Sequence, residues 1–284
     1  MVLESLLSPK TAEERSFRMI FLGIIFSFIG AILGFMVWPS HVSLLVVFLT
    51  ALAAVPLMYN IIKYEEEKDL QDLQEKILLK EHWKALKAFM YLFLGITIGA
   101  TAMYLFLPWN TVNQLFSVQM DTLTSITSKS TGMVIAEQLN VFQIIFFNNV
   151  KVLVFAILFS FLFGAGAIFV LTWNAYVIGT AIGNFIRSNL SLYAELIGFD
   201  KFAKYFHVVS IGLFKYSIHG IPEILGYFTA ALAGGIISVA IIRHDFGSAK
   251  FEHIILDSAD LIMLSIGLLF IAAILEVFVT PMIF

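Results

Sequence analysis

The stretch MIFLGIIFSFIGAILGFMVW, Met19–Trp38, holds 20 residues and no charge. A helix rises about 1.5 Å per residue, so this run covers the roughly 30 Å hydrocarbon core of a bilayer. It is too long for the apolar core of a secretory signal, and nothing after it looks like a small-residue cleavage site. Pro39, Ser40 and His41 make a short turn, and a second apolar run follows from Val42 to Ile62. Two such runs in tandem read as a membrane-crossing helical hairpin. The rest of the chain repeats the pattern over 88–107, 141–173, 221–242 and 258–284. With 19–38 and 42–62, these runs predict an all-α transmembrane bundle of about six spans, forming a single integral membrane domain over 1–284. Apolar character beyond Val141 extends to Ile186, interrupted by Lys151 and several asparagines. That region reads either as one long helix followed by a re-entrant segment around 174–187, or as two full spans hinged at Gly164-Ala165-Gly166.

Composition agrees with the class. Hydrophobic residues make up 60% of the chain and charged residues 13%, with a mean hydropathy of +0.93. Soluble domains carry roughly 25% charged residues, so this chain lacks the charge to coat a water-facing surface. A net charge of −3 offers no basic patch for nucleic acid. The absence of cysteine excludes disulfides, thiolate nucleophiles and Cys-ligated metals. No tandem repeat or low-complexity tract is evident.

Lysine and arginine set the orientation, since they stay on the cytoplasmic side. Residues 1–18 carry Lys10, Arg15 and Arg18. The 63–87 segment carries Lys63, Lys68, Lys76, Lys80, Lys84 and Lys87, whereas 108–140 carries only Lys129. The expected location is the cell membrane, with the N-terminus and 63–87 cytoplasmic and 108–140 an extracytoplasmic loop. Leu70, Leu73 and Ile77, and likewise Leu79, Trp83 and Leu86, recur at helical spacing. Asp72 precedes Lys76 by four residues, a helix-surface pair. The 63–87 segment therefore reads as a charged helical extension of the flanking spans or an interfacial amphipathic helix, ahead of a dedicated docking helix.

Helices in lipid associate where small residues let backbones approach. Gly23 with Ser27, Gly30 with Gly34, and Gly95 with Gly99 are such pairs. The longest stripe is Gly226, Ala230, Gly234 and Ser238. Packing inside one chain is the expected use, and a homodimer seam is the alternative.

Polar and ionisable residues at membrane depth are costly, and they point to function. The set is Asn148, Asn149, Lys151, Asn174, Asn184, His219, Glu223 and Glu276. Glu276 stands between apolar neighbours, far from any helix end where it would serve as a cap. In His219-Gly220-Ile221-Pro222-Glu223, Gly220 suits a helix C-terminus, Pro222 the first turn of the next helix, and Glu223 its positive dipole end. A broken helix around 219–223 is thus expected, as capping alone or as the lining of a polar cluster. Glu276 lies about 27 Å along a helix that starts at Ser258, at a depth similar to Glu223. Its polar partner is expected from 219–223 or from Asn148 and Asn149, with Gln at 276 tolerated better than Leu.

Several of these motifs together resemble one known family. They are Phe147-Asn148-Asn149-Val150-Lys151, the Gly164-Ala165-Gly166 turn and Asn174 with Gly179. They continue with His219-Gly220-Ile221-Pro222-Glu223 followed by Ala230-Ala231-Leu232-Ala233-Gly234-Gly235, and with Leu275-Glu276-Val277-Phe278-Val279-Thr280-Pro281. In this order, over about residues 140–284, the chain is similar to the stage II sporulation protein M family. The first half matches only in hydropathy, and its charged 63–87 segment departs from the pattern. The resemblance implies a multi-pass cell-membrane protein. It implies partners that remodel peptidoglycan during engulfment in spore formers, with this protein as their anchor and not the hydrolase. Relatives also occur in bacteria and archaea that make no spores.

Three functions follow as expectations. The first is a non-enzymatic membrane scaffold that recruits other membrane or envelope proteins, with no cofactor, no metal and no nucleic acid. The second is a small transporter or channel with a polar path around Glu276 and Glu223. The third, an intramembrane metal hydrolase, has little support. His219 and Glu223 are four residues apart, but HExxH is absent, Pro222 disturbs their helix, and no G-x-S-x-G nucleophile motif occurs.

Overall fold

The computed structural model describes residues 8–69, 75–127, 135–163, 167–193, 195, 197–242 and 249–283. Among them there is no strand. The described residues begin with α1 (Pro9–Glu14), whose first turn is capped by Ser8 accepting from the Thr11 amide at 3.3 Å. Next comes α2 (Arg18–Val37), apolar on every side. Small residues, not hydrophobicity, therefore decide which face it buries. Gly23, Ser27, Gly30, Ala31 and Gly34 point inward, while Phe21, Ile25, Ile32 and Met36 point out. A single 3-10 turn, Pro39–His41, reverses the chain, with the Trp38 and His41 rings edge to face at 4.5 Å.

The return helix α3 (Val42–Asp69) and its successor α4 (Glu75–Phe106) extend well past the membrane run, carrying most of the charged 63–87 segment as helix. The Asp72–Lys76 pair and Leu70 and Leu73 involve positions outside the described residues. Helix α2 sits between α3 and α4. A Cβ at Gly95 or Gly99 would fall on the Ile20 carbonyl or the Ser27 hydroxyl, and one at Gly30 would meet Thr50.

The stretch expected as an extracytoplasmic loop is largely helical. It holds α5 (Trp109–Leu115), α6 (Ser117–Thr127) and the start of α7 (Ile135–Phe163). Val112, Leu115 and Phe116 are fully buried, because this segment folds back onto the bundle. Gln119 is tied to the first turn of α3 by Ser43 Oγ donating to it at 2.7 Å.

Two corrections concern the second half. The single span expected over 141–173 is two helices, α7 and α8 (Ala167–Ser191). Each is long and apolar enough to cross a membrane. The stretch 174–187, expected as re-entrant, lies inside continuous α8. The hinge at 164–166 is itself outside the described residues. The second correction is at 219–223. Helix α9 (Gly198–Ile242) passes through it unbroken, with Pro222 inside and no left-handed backbone at Gly220. Pro222 forfeits one bond, to the Ile218 carbonyl, and a transmembrane helix held by neighbours tolerates that loss. The final helix, α10 (Ala249–Ile274), starts earlier than expected. It runs into a π turn, Leu275–Val279, and a last α turn, α11 (Thr280–Ile283). The irregularity expected in α9 therefore sits in the helix facing it.

Seven helices among the described residues satisfy length and hydropathy for crossing, in place of about six. The most enclosed is α9, whose membrane window is 83% buried, surrounded by α3, α4, α7, α8 and α10. A seventh crossing, if all seven span, runs α9 and α10 opposite to the expected direction. Their common depth at Glu223 and Glu276 is unaffected, because the two helices are antiparallel neighbours.

Candidate functional site

On α9, Lys215, His219, Glu223 and Tyr227 follow one another at intervals of four, so they form a stripe along one side of the helix. Tyr227 is fully buried, and its hydroxyl donates to Glu223 Oε1 at 2.9 Å. Facing this stripe is the π turn of the last helix. Thr280 closes that turn by donating to the Leu275 carbonyl at 2.9 Å, and its oxygen lies 3.4 Å from His219 Nδ1. With the Thr280 proton directed at Leu275, the histidine is the donor to Thr280, which places a proton on Nδ1.

Glu276 is the second residue of the π turn. It is an electrostatic neighbour of both Glu223 and Tyr227, yet it accepts no hydrogen bond from a described residue. Close approach of the two helices is set one turn away at Gly226, where a Cβ would meet Leu269 and the Ser265 carbonyl at 3.1 Å. The chain thus brings together His219, Glu223, Tyr227, Glu276 and Thr280 between two helices of the bundle. Lys215 sits one turn beyond, its ammonium 5.7 Å from the Phe185 ring centroid.

The asparagines separate. Asn149 is buried on α7, and its Nδ2 has no acceptor among the described residues, while Asn148 and Lys151 are exposed. Asn174 bonds the Val170 carbonyl of its own helix at 2.8 Å. Asn184 accepts from Tyr104 at 3.3 Å, in a different cluster where Arg187 donates to the Tyr104 carbonyl at 2.9 Å and lies over Trp109. Gly220 is buried, but no atom lies within 4 Å of a Cβ built on it, so no close helix approach depends on it. The stripe at Gly226, Ala230, Gly234 and Ser238 is used within the chain. Gly226 meets α10, Gly234 meets the α7 backbone at Ile157, and Ala230 and Ser238 are buried. Ser160 of α7 reinforces that seam by donating to the Ala231 carbonyl at 2.6 Å.

Several polar contacts escape a reading of the sequence, three of them close to the helix core. Tyr227 is the one that was within reach, since it stands four residues after Glu223. Glu65 and His82, 2.8 Å apart and almost fully buried, join the ends of α3 and α4. Thr50 and Tyr176, 3.1 Å apart, join α3 to α8 in the core. Both pairs depend on how helices pack, which no local spacing encodes. No group of three His, Cys, Asp or Glu able to hold a metal occurs among the described residues. What the α9–α10 site holds is two carboxylates, a histidine and two hydroxyls on neighbouring apolar helices, a polar set that is costly at membrane depth.

A family model described as Stage II sporulation protein M matches residues 88–281. The match begins inside α4, well before the motifs at 147–281, and includes every residue of the α9–α10 site. No curated protein matches the chain, and no solved structure does.

Proposed function

The chain belongs to the stage II sporulation protein M family, and from that premise we propose that it is a non-enzymatic, multi-pass membrane scaffold that recruits other membrane or envelope proteins. The observation that carries this reading is the way burial is distributed. Helix α9 is enclosed, while α2, α7 and α10 are only 33%, 22% and 28% buried in their membrane windows. A sealed centre with broad apolar flanks gives lipid and partner helices surface to pack on. The glycine stripe of α9 is occupied internally, so a homodimer would use one of those outer faces. The direct test is a mild-detergent pull-down of the full chain, with partners identified by mass spectrometry. Specific co-purification of envelope proteins, lost on truncation of an exposed outer-face anchor such as Phe147→Ala, is the expected result. Recovery of the chain alone from intact membranes would sink the scaffold reading.

The second reading, a small transporter, draws on the convergence of Glu223, Glu276, His219 and Tyr227 between α9 and α10. Cation flux in proteoliposomes that disappears in Glu276→Gln would favour it over scaffolding.

For orientation we propose an N-terminus in the cytoplasm and seven crossings. The connection around 243–250 then lies on the same side as 63–87, so Arg243 and Lys250 join the lysine-rich face. Because the chain has no cysteine, Ser125→Cys gives a clean probe. It should label with a membrane-impermeant maleimide in intact cells, and labelling only after lysis would invert the assignment.

A further inference from the structure

On the outer surface of the bundle, α3 and α7 both pack against α8 and leave a groove between them with a volume of about 480 Å³. Phe48, Val152, Phe155, Phe159, Phe169 and Trp173 are among its walls. The Phe48 and Phe169 rings meet at 5.5 Å. All its lining residues are leucine, valine, phenylalanine or tryptophan, and all lie in membrane-crossing helices. We infer that this groove holds one acyl chain of a bilayer phospholipid as an ordered part of the fold.

Composition excludes water as the filling, because a buried water needs two to four polar partners, and none is offered here. A vacant groove would forfeit the dispersion contacts of its lining. The choice then lies between a helix and a hydrocarbon chain. The tightest helix crossings among the described residues place small residues at the contact. Gly23 and Gly95 do so between α2 and α4, Gly226 between α9 and α10, and Gly234 with Ser160 between α7 and α9. The groove has no residue smaller than valine, so a helix backbone cannot come close. A flexible chain can thread between the rings. The groove is also continuous with the lipid-facing surface, since Leu44, Phe48 and Phe155 are about half exposed on it. A chain entering from the surrounding bilayer crosses no polar barrier.

Trp173 supplies the probe. The other three tryptophans, Trp38, Trp83 and Trp109, are replaced by phenylalanine in the full-length protein. The purified protein in detergent is then titrated with phosphatidylcholine brominated at mid-chain. Trp173 fluorescence should be quenched along a saturable curve that levels off at about one lipid per chain. Filling the groove by Val152→Phe should raise the lipid needed for half-quenching by about tenfold. Val170→Phe is a second filling variant in case the first fails to fold, and the saturation of the parent stands without either. Quenching that climbs without a plateau, and equally in the filled variants, would show contact with bulk lipid only and overturn the inference. So would an unquenched Trp173 accompanied by disulfide cross-linking of Val152→Cys between molecules, which would put a second copy in the groove.

Discussion

Gly95→Leu is expected to leave little folded protein in detergent, and Gly95→Ala to lower the melting temperature. A Cβ at position 95 would fall on the carbonyl oxygen of Ile20, with the Ile20 carbonyl carbon and Cα at 2.8 and 2.9 Å. These are backbone atoms of the neighbouring helix and cannot rotate aside. Overpacking costs about 1–3 kcal/mol even where side chains can shift. A domain has only about 5–15 kcal/mol of stability to lose. The same crossing is equally tight from the other side, where a Cβ at Gly23 would fall on the backbone of Leu92 and Ile96. Gly267→Ala and Gly220→Ala are the controls. No atom lies within 4 Å of a Cβ at either place. Alanine in a helix interior is favoured over glycine by about 0.5–1 kcal/mol, so both variants should melt at or above the parent temperature. Destabilisation by Gly220→Ala would restore the helix break at 219–223. A parent-like melt for Gly95→Ala would mean that α2 and α4 do not cross at this point.

The second large effect belongs to the hydrogen bond between Tyr227 and Glu223. Glu223→Leu leaves a fully buried tyrosine hydroxyl without its acceptor. An orphaned buried donor costs about 1–3 kcal/mol, whereas replacing both partners by apolar groups is close to neutral. The expected result is therefore non-additive. Glu223→Leu should be markedly destabilised, and adding Tyr227→Phe should recover most of the loss. Glu223→Gln, which keeps an acceptor, should sit near the parent. Thermal melts of the four members of the cycle, in one detergent and lipid mixture, give the coupling directly. If the double variant is as unstable as the sum of its parts, the bond does not hold α9 in the way its 2.9 Å length indicates. Glu276→Gln provides the contrast, since its carboxyl accepts no hydrogen bond from a described residue. Stability there should change little, so any loss of partner capture or flux in that variant reports on function.

Much of this architecture is legible because apolar runs of membrane length are a matter of composition. The run at Met19–Trp38 and the turn at Pro39–His41 are found within a residue of their structural bounds. Hydropathy fails at 141–186 for a physical reason. It records polarity and not chain direction, so it could not choose between one long helix and two spans where no charged residue separates Phe163 from Ala167. At 219–223 the residue types are those that end helices in water, but here, among enclosing helices, α9 continues through them. Glu223 and Glu276 stand out as intramembrane acids, and they are electrostatic neighbours, but the hydrogen-bonding partner expected for Glu276 is not found among the described residues. What could not be read was how Glu276 is aimed. Nothing in Leu275-Glu276-Val277-Phe278-Val279 distinguishes a π turn from an α turn, and the one trace is the Thr280 hydroxyl reaching back five residues to Leu275.

For comparative work that turn behaves as an insertion. An α-helix advances about 100° per residue, and any helical-wheel or moment calculation assumes that phase throughout. Between Leu275 and Val279 the backbone closes its hydrogen bonds one residue later than an α-helix does, and the phase slips. Side chains from Thr280 onward therefore face differently from where an unbroken wheel started at Ala249 would put them. An alignment that carries α10 through to Ile283 without a gap equates positions on different faces. Aligning the 249–274 and 280–283 segments separately, with one position among the five residues 275–279 left free to gap, keeps Thr280 matched to residues that can occupy the same side of α9.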